Sequence, residues 1–189
     1  MRVVAPDSSV QTMRRSLTRD GLRDLMKELA RSAPRRGSFK VYIVGGGTAV
    51  LNGWRDSTID ADLYSAQDAV FHDIQGIKER LQLNIEFVRP EDFVPALAGS
   101  EKRHVFIESI AKVSFYHYDP CSQLLSKIVR GFSRDMQDAA RFLESGMVDA
   151  ERFRALVNAI PEAAFARYPT LSRKAILDAV DNFLSQHNA

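Results

Sequence analysis

A chain of 189 residues, 45% hydrophobic and 26% charged, can bury a core as one domain, or as one domain with a helical appendage, and that composition excludes disorder. A formal net charge of +2 and a pI near 8.8 permit an anionic partner without demanding one. A single cysteine, Cys121, rules out an internal disulfide and a cysteine-rich metal site, and no apolar run approaches the length of a membrane span.

In chain order, residues 1–16 show no clear period and read as a loose arm or a short packed segment. The Met1-Arg2-Val3-Val4 start lacks the apolar core of a signal peptide, so a cytoplasmic location is the default expectation. From residue 17, Leu17, Leu22, Leu25, Met26 and Leu29 recur at helical spacing up to about Ser32, with Thr18 or Asp20 available as cap. Arg31, Arg35, Arg36 and Lys40 surround the Ala33-Pro34 break, either as a solvated basic loop or as a phosphate or RNA contact beside the active face.

Residues 41–49, Val-Tyr-Ile-Val-Gly-Gly-Gly-Thr-Ala, predict a buried strand running into a glycine turn and a short helix, a geometry that lets backbone approach phosphate. Asp60 and Asp62 then stand two apart in a run with strand character, so the pleat puts both carboxylates on one face, with Ile59, Ala61 and Leu63 facing the core. Two adjacent carboxylates repel each other, and a cation is the natural occupant between them. Oxygen-only ligands suit Mg²⁺ or Mn²⁺, with substrate phosphates completing the coordination. Glycine turn and Asp-x-Asp strand together predict metal-assisted phosphoryl chemistry. Taken singly, the glycines are an ordinary turn and the aspartates a solvated strand face.

Residues 67–83 carry Val70, Phe71, Ile74, Ile77 and Leu81 on one helical stripe, predicting a helix over the sheet. Residues 84–88 alternate as a strand, with Glu86 opposite to Ile85 and Phe87 and available as a third carboxylate if the strand lies beside Asp60 and Asp62. A proline-bounded turn over 90–97 and a polar loop over 99–103 precede two strands, 104–110 and 112–118, expected to form a hairpin. Tyr116, His117 and Tyr118 read either as sheet packing or as a base-stacking surface.

Asp119-Pro120 opens a helix, with Asp as cap and Pro at the first position, and Leu124, Leu125, Ile128 and Val129 facing inward. Ser133 is a candidate cap for the next helix, whose first turn holds Asp135. Residues 147–160 and 171–184 read as helices separated by Pro161 and Pro169.

Gly46-Gly47-Thr48-Ala49 followed by Arg55-x-Ser57-Thr58-x-Asp60-x-Asp62 resembles the signature of the DNA-polymerase-β-type nucleotidyltransferase superfamily. It is most similar to the minimal bacterial nucleotidyltransferase-like domains, a group that includes the AbiE-type toxins of abortive-infection systems. In these groups a Lys on the helix after the sheet precedes an Arg-Asp-x-x-Asp pattern, which Lys127 and Arg134-Asp135-x-x-Asp138 match. The resemblance runs from about Val41 to Tyr168. Ala61 departs from it, since a larger apolar residue is common between the aspartates.

The resemblance implies an α/β (α+β) fold: a small mixed sheet flanked by helices, with residues 1–118 as nucleotidyltransferase-like core and 119–189 as a helical region packed on it. It implies transfer of a nucleotidyl group from an NTP, with Asp60, Asp62 and Lys127 catalytic and Asp60, Asp62 and Glu86 holding Mg²⁺ or Mn²⁺. Gly46, Gly47, Thr48, Arg55, Ser57, Lys127, Asp135 and Asp138 would bind the nucleotide. The acceptor is left open among tRNA or other RNA, protein and small molecule, as are a cognate antitoxin and the oligomeric state. A second reading is a non-catalytic nucleotide- or partner-binding module. A dehydrogenase-like dinucleotide site fits poorly, because the glycine run lacks the Gly-x-Gly-x-x-Gly spacing.

Overall fold

The computed structural model describes residues 16–187, so the arm expected over 1–16 lies outside the described residues except for Ser16. The chain forms a mixed α/β fold with a five-stranded sheet, a two-stranded sheet and flanking helices. Helix α1, Arg19–Ser32, is capped by Thr18, whose side chain accepts from the Gly21 N–H, and buries Leu22, Leu25, Met26 and Leu29 along one stripe. The short strand β1, Leu17–Thr18, pairs with β3, Ser57–Thr58.

Five strands make the main sheet: β2, Phe39–Val44; β4, Asp60–Tyr64; β5, Asn84–Phe87; β6, Val105–Ile110; and β7, Val113–His117. Their order is β5-β4-β2-β7-β6, with β2 antiparallel to β4 and parallel to β7, and β4 parallel to β5. Alternation decides which face is core. Phe39, Val41, Ile43, Ala61, Leu63, Ile85, Val113 and Phe115 point inward and join α1 and α3, Ile74–Leu81, in one cluster. Lys40, Tyr42, Asp60, Asp62, Asn84, Glu86 and Tyr116 occupy the alternate positions, and none of them is buried. Ile59 breaks the pattern expected for it. The chain bends between β3 and β4, alternation starts only at Asp60, and Ile59 is 64% exposed.

The helix expected over 67–83 divides into a 3₁₀ turn, Asp68–Phe71, and α3, with the break at His72-Asp73. The hairpin of β6 and β7 forms as expected, turning at Ala111, which takes a positive φ of 51°. Tyr116 and Tyr118 pack with Tyr42, Tyr64 and His104 on the outer side of the sheet. His117 points the other way and is buried with its Nδ1 against the Thr48 hydroxyl.

The second half is helical: α4, Pro120–Arg130; α5, Ser133–Glu144; α6, Ala150–Asn158; a 3₁₀ segment, Glu162–Arg167; and α7, Arg173–His187. These helices share a second core cluster that also takes in Val94 and Leu97 from the turn after β5. No helix among the described residues is long and apolar enough to cross a membrane. Phe132, not Ser133, holds the cap position of α5, and it makes no side-chain cap bond. Asp119 caps α4 as its sequence predicts: it accepts from the Cys121 and Ser122 N–H groups and from the Ser122 hydroxyl. The same carboxylate, wholly buried, takes a two-pronged contact from Arg103, at 3.0 Å from Nε and 2.7 Å from the terminal nitrogen.

Asp119 therefore fixes where α4 starts, and removing it leaves a largely buried guanidinium without its counter-ion. Asp119→Ala is expected to lower unfolding free energy by about 3–5 kcal/mol, read as a drop in urea midpoint. A loss under 1 kcal/mol would mean that α4 is anchored elsewhere.

Candidate active site

Register brings the acidic residues together. Asp62 lies opposite Glu86 and Asp60 opposite Asn84 across the parallel β4–β5 pair, so all three carboxylates face the same side. They line a cleft of about 450 Å³ that is closed on its far side by α4 and the turn after β5. On α4, Gln123, Lys127 and Arg130 follow at helical spacing and face the cleft, while Leu124, Leu125 and Ile128 enter the second core.

Electrostatic strain concentrates on Asp62. Burial, then the carboxylates of Glu86 and Asp60, raise its pKa from 3.8 to about 6, against the opposing pull of Arg130 and Lys127. The Asn84 side-chain amide donates to Asp60 Oδ1 at 2.5 Å and to Glu86 Oε1 at 3.2 Å, bridging the two outer acids. Among the described residues no three His, Cys, Asp or Glu side chains are gathered closely enough to hold an ion as a set. Asp60 and Asp62 nonetheless fit a hard divalent cation in donor chemistry, since both supply carboxylate oxygen and Asp62 carries a charge that its neighbours disfavour.

The glycine bend meets this cleft through Gly45. Gly45 has a φ of +57°, donates its N–H to Gln123 Oε1 at 2.9 Å, and lies so close to Asp62 that an added Cβ would sit 2.5 Å from Oδ2. Gly46 and Gly47 begin the short helix α2, Gly46–Leu51, are buried and do not line the cleft. A Cβ on Gly46 would strike the Thr58 hydroxyl and Arg55, and one on Gly47 would come within 2.7 Å of Ile43. Thr48 is wholly buried, and its hydroxyl donates to the Ile43 carbonyl and contacts His117. That hydroxyl is therefore occupied in packing α2 on the sheet, not turned toward a phosphate.

Lys127 is buried with its ammonium between Asp138 at 2.7 Å and Asp135 at 3.1 Å. Asp138 also binds Arg55 at 3.0 Å, and Asp135 binds Arg130 at 3.2 Å. This run of five charges separates the carboxylate cleft from a second one, of about 630 Å³, lined by Arg55, Ser57, Ile59, Arg134 and Asp138 among others. The sequence-predicted residues thus divide: Asp60, Asp62, Glu86 and Lys127 share one cleft, Arg55, Ser57 and Asp138 line the other, and Asp135 joins them through Lys127. Arg89, Phe93, Arg130 and Phe132 line the carboxylate cleft without having been singled out for it. Arg130 was legible as the next residue on the Lys127 face of α4, whereas Arg89, Phe93 and Phe132 come from turns that carry no periodic signal.

A small mixed sheet carrying Asp-x-Asp on a central strand, beside a glycine bend and a helix with an inward lysine, defines a nucleotidyltransferase-like domain. Residues 20–181 match the family described as nucleotidyltransferase of unknown function (DUF6036), and the chain belongs to that family. Membership supports a nucleotidyltransferase function in general terms. Comparisons with curated proteins and with solved structures return no match.

The raised pKa of Asp62 has a measurable sign. Its carboxyl binds a proton more tightly in the folded chain than in the unfolded one, so it opposes folding above about pH 6 and ceases to do so as pH falls toward 4. Burial drives His117 down to about 4, which acts oppositely over the same range, so only the difference between variant and wild type isolates Asp62. Asp62→Asn is expected to stabilise the protein at pH 8 by on the order of 1–3 kcal/mol. That gain should vanish near pH 4, followed by chemical denaturation at each pH. A variant less stable than wild type at pH 8 would show that Asp62 is satisfied where it lies.

Proposed function

We propose that this protein is a metal-dependent nucleotidyltransferase. An acceptor hydroxyl attacks the α-phosphorus of an NTP, the bond to the β-phosphate oxygen breaks, pyrophosphate departs, and the hydroxyl proton passes to a carboxylate of the cleft. The observation that carries this reading is the convergence of Asp60, Asp62 and Glu86 on one cleft that also receives Lys127 and Arg130. Mg²⁺ or Mn²⁺ would be held by Asp60 and Asp62, with Glu86 beside them, and when bound it offsets the charge of the phosphates. Lys127, fixed by Asp135 and Asp138, lines the cleft and contributes a positive field to the phosphates. Arg55 acts through Asp138, and Ser57 lines the second cleft on the far side of the ion pairs. The acceptor is an RNA such as tRNA, a protein or a small molecule. The likeness of the motifs to AbiE-type toxins supports a toxin role with a cognate antitoxin, for which the assay is bacterial growth arrest that depends on Asp60.

One observation favours a second reading, a nucleotide- or partner-binding module without catalysis: the Asn84 amide already bridges Asp60 and Glu86. Incorporation of labelled NTP into an acceptor separates the two, and calorimetry then divides the second, since a pure protein-binding module gives no Mg²⁺-dependent heat with any NTP.

Asp60→Asn keeps side-chain volume and removes a metal ligand. It is expected to lower incorporation of labelled NTP into acceptor at least about 100-fold while the folded circular dichroism spectrum is retained. Undiminished incorporation by this variant would end the proposed mechanism.

A further inference from the structure

Phe93 and Phe132 stand at the mouth of the carboxylate cleft, 44% and 65% exposed, and neither belongs to a core cluster. They come from separate elements. Phe93 closes the 3₁₀ turn after β5, and Phe132 lies in the two-residue link between α4 and α5. Both rings nevertheless meet one group, the Arg130 guanidinium, whose carbon is 5.6 Å from each ring centroid. The Nε of Arg130 pairs with Asp135, and the guanidinium lines the same cleft as Asp60, Asp62 and Glu86, so the aromatic mouth and the acidic end belong to one cavity. Single exposed apolar side chains are ordinary. Two phenyl rings converging on one cation at a cleft opening present flat faces that suit a planar ligand.

The polar groups of the cleft point to the same ligand by what they have already given up. Gln123, the carboxamide among the described lining residues, accepts from the Gly45 N–H and donates to the Tyr118 carbonyl, so both its ends are taken by backbone. Arg89 is held by Asp92 through side chain and main chain. At the mouth, where Phe93, Phe132 and Arg130 stand, a nucleobase is offered planes, and Ser126 is the one hydroxyl among the described lining residues.

We propose that Phe132, Phe93 and the Arg130 guanidinium form a stacking subsite for the nucleobase of the donor NTP, which takes the base by its face and so accepts all four NTPs with little discrimination. This rests on the nucleotidyltransferase reading and adds to it the location and chemistry of base recognition. Stacking tolerates any base because each has a π face, whereas an edge-reading site rejects wrong bases by several orders of magnitude.

The test is calorimetric, on the full chain with Mg²⁺, using ATP, GTP, CTP, UTP and inorganic tripolyphosphate as a ligand without a base. The four NTPs are expected to bind within about tenfold of one another. Phe132→Ala and Phe93→Ala should each weaken every NTP by about 5- to 100-fold, leave tripolyphosphate unchanged, and Phe132→Trp should restore affinity. Unaltered NTP affinity in both alanine variants, a preference of more than about a hundredfold for one NTP, or an equal loss for tripolyphosphate would overturn the stacking subsite alone. If wild type binds neither tripolyphosphate nor any NTP, the nucleotidyltransferase reading falls, and the subsite with it.

Discussion

The buried ammonium of Lys127 is the constraint on which the rest of the arrangement depends. Removing a lysine from water carries an effective penalty of several kcal/mol, met only if carboxylates come with it. Asp135 and Asp138, one helical turn apart on α5, provide them at 3.1 and 2.7 Å. Those acids need counter-ions in turn, and Arg130 of α4 and Arg55 of the loop after α2 complete the set. The cluster therefore ties two helices of the second core to the loop that enters the Asp-x-Asp strand. With Gln123 bridging the Gly45 N–H to the Tyr118 carbonyl, it holds α4 against the end of the sheet where Asp60 and Asp62 emerge.

The acidic side of the cleft follows the opposite logic. Lys127 is compensated, but Asp62 is not: its neighbours Glu86 and Asp60 carry the same sign, and partial burial limits its access to water. The chain offers partial relief through one neutral amide, Asn84, shared by Asp60 and Glu86. An amide donates hydrogen bonds without adding positive charge, so the excess negative charge persists. A fold selected for stability alone would replace one of these acids, and a perturbed carboxylate in a cleft makes this cleft the candidate functional site.

Much of this was legible along the chain, and the failures have physical causes. Alternation through 60–64 put Asp60 and Asp62 on one face and alternation through 84–88 turned Glu86 away from Ile85, and the Asp119-Pro120 pair set the start of α4, because pleat and capping are local rules. That Glu86 joins the aspartates needed the β4–β5 pairing, which is not local. The glycine run was legible as a turn, but not which glycine meets the cleft. Only packing distinguishes Gly45, pressed against Asp62, from Gly46 and Gly47, pressed against Thr58, Arg55 and Ile43. Thr48 shows the same limit, since its burial depends on His117 arriving from β7, far along the chain. Ile59 escaped because a bend between two strands resets the period, and Phe93 and Phe132 because aperiodic links give no facing direction.

Charge lies unevenly along the cleft: three carboxylates at one end, Arg130 with two phenyl rings at the other, and compensated Lys127 beneath. A triphosphate entering alone meets repulsion from Asp60, Asp62 and Glu86, and a divalent ion entering alone finds two candidate ligands and an amide already engaged with one of them. On the proposed function each ligand would remove the obstacle to the other, because phosphate oxygens would complete the coordination that the chain leaves short and the ion would cancel the charge that repels phosphate. Binding of metal and nucleotide is therefore expected to be mutually dependent by thermodynamic necessity. The uncompensated acids, costly to the folded chain by themselves, are what would couple the two on that function.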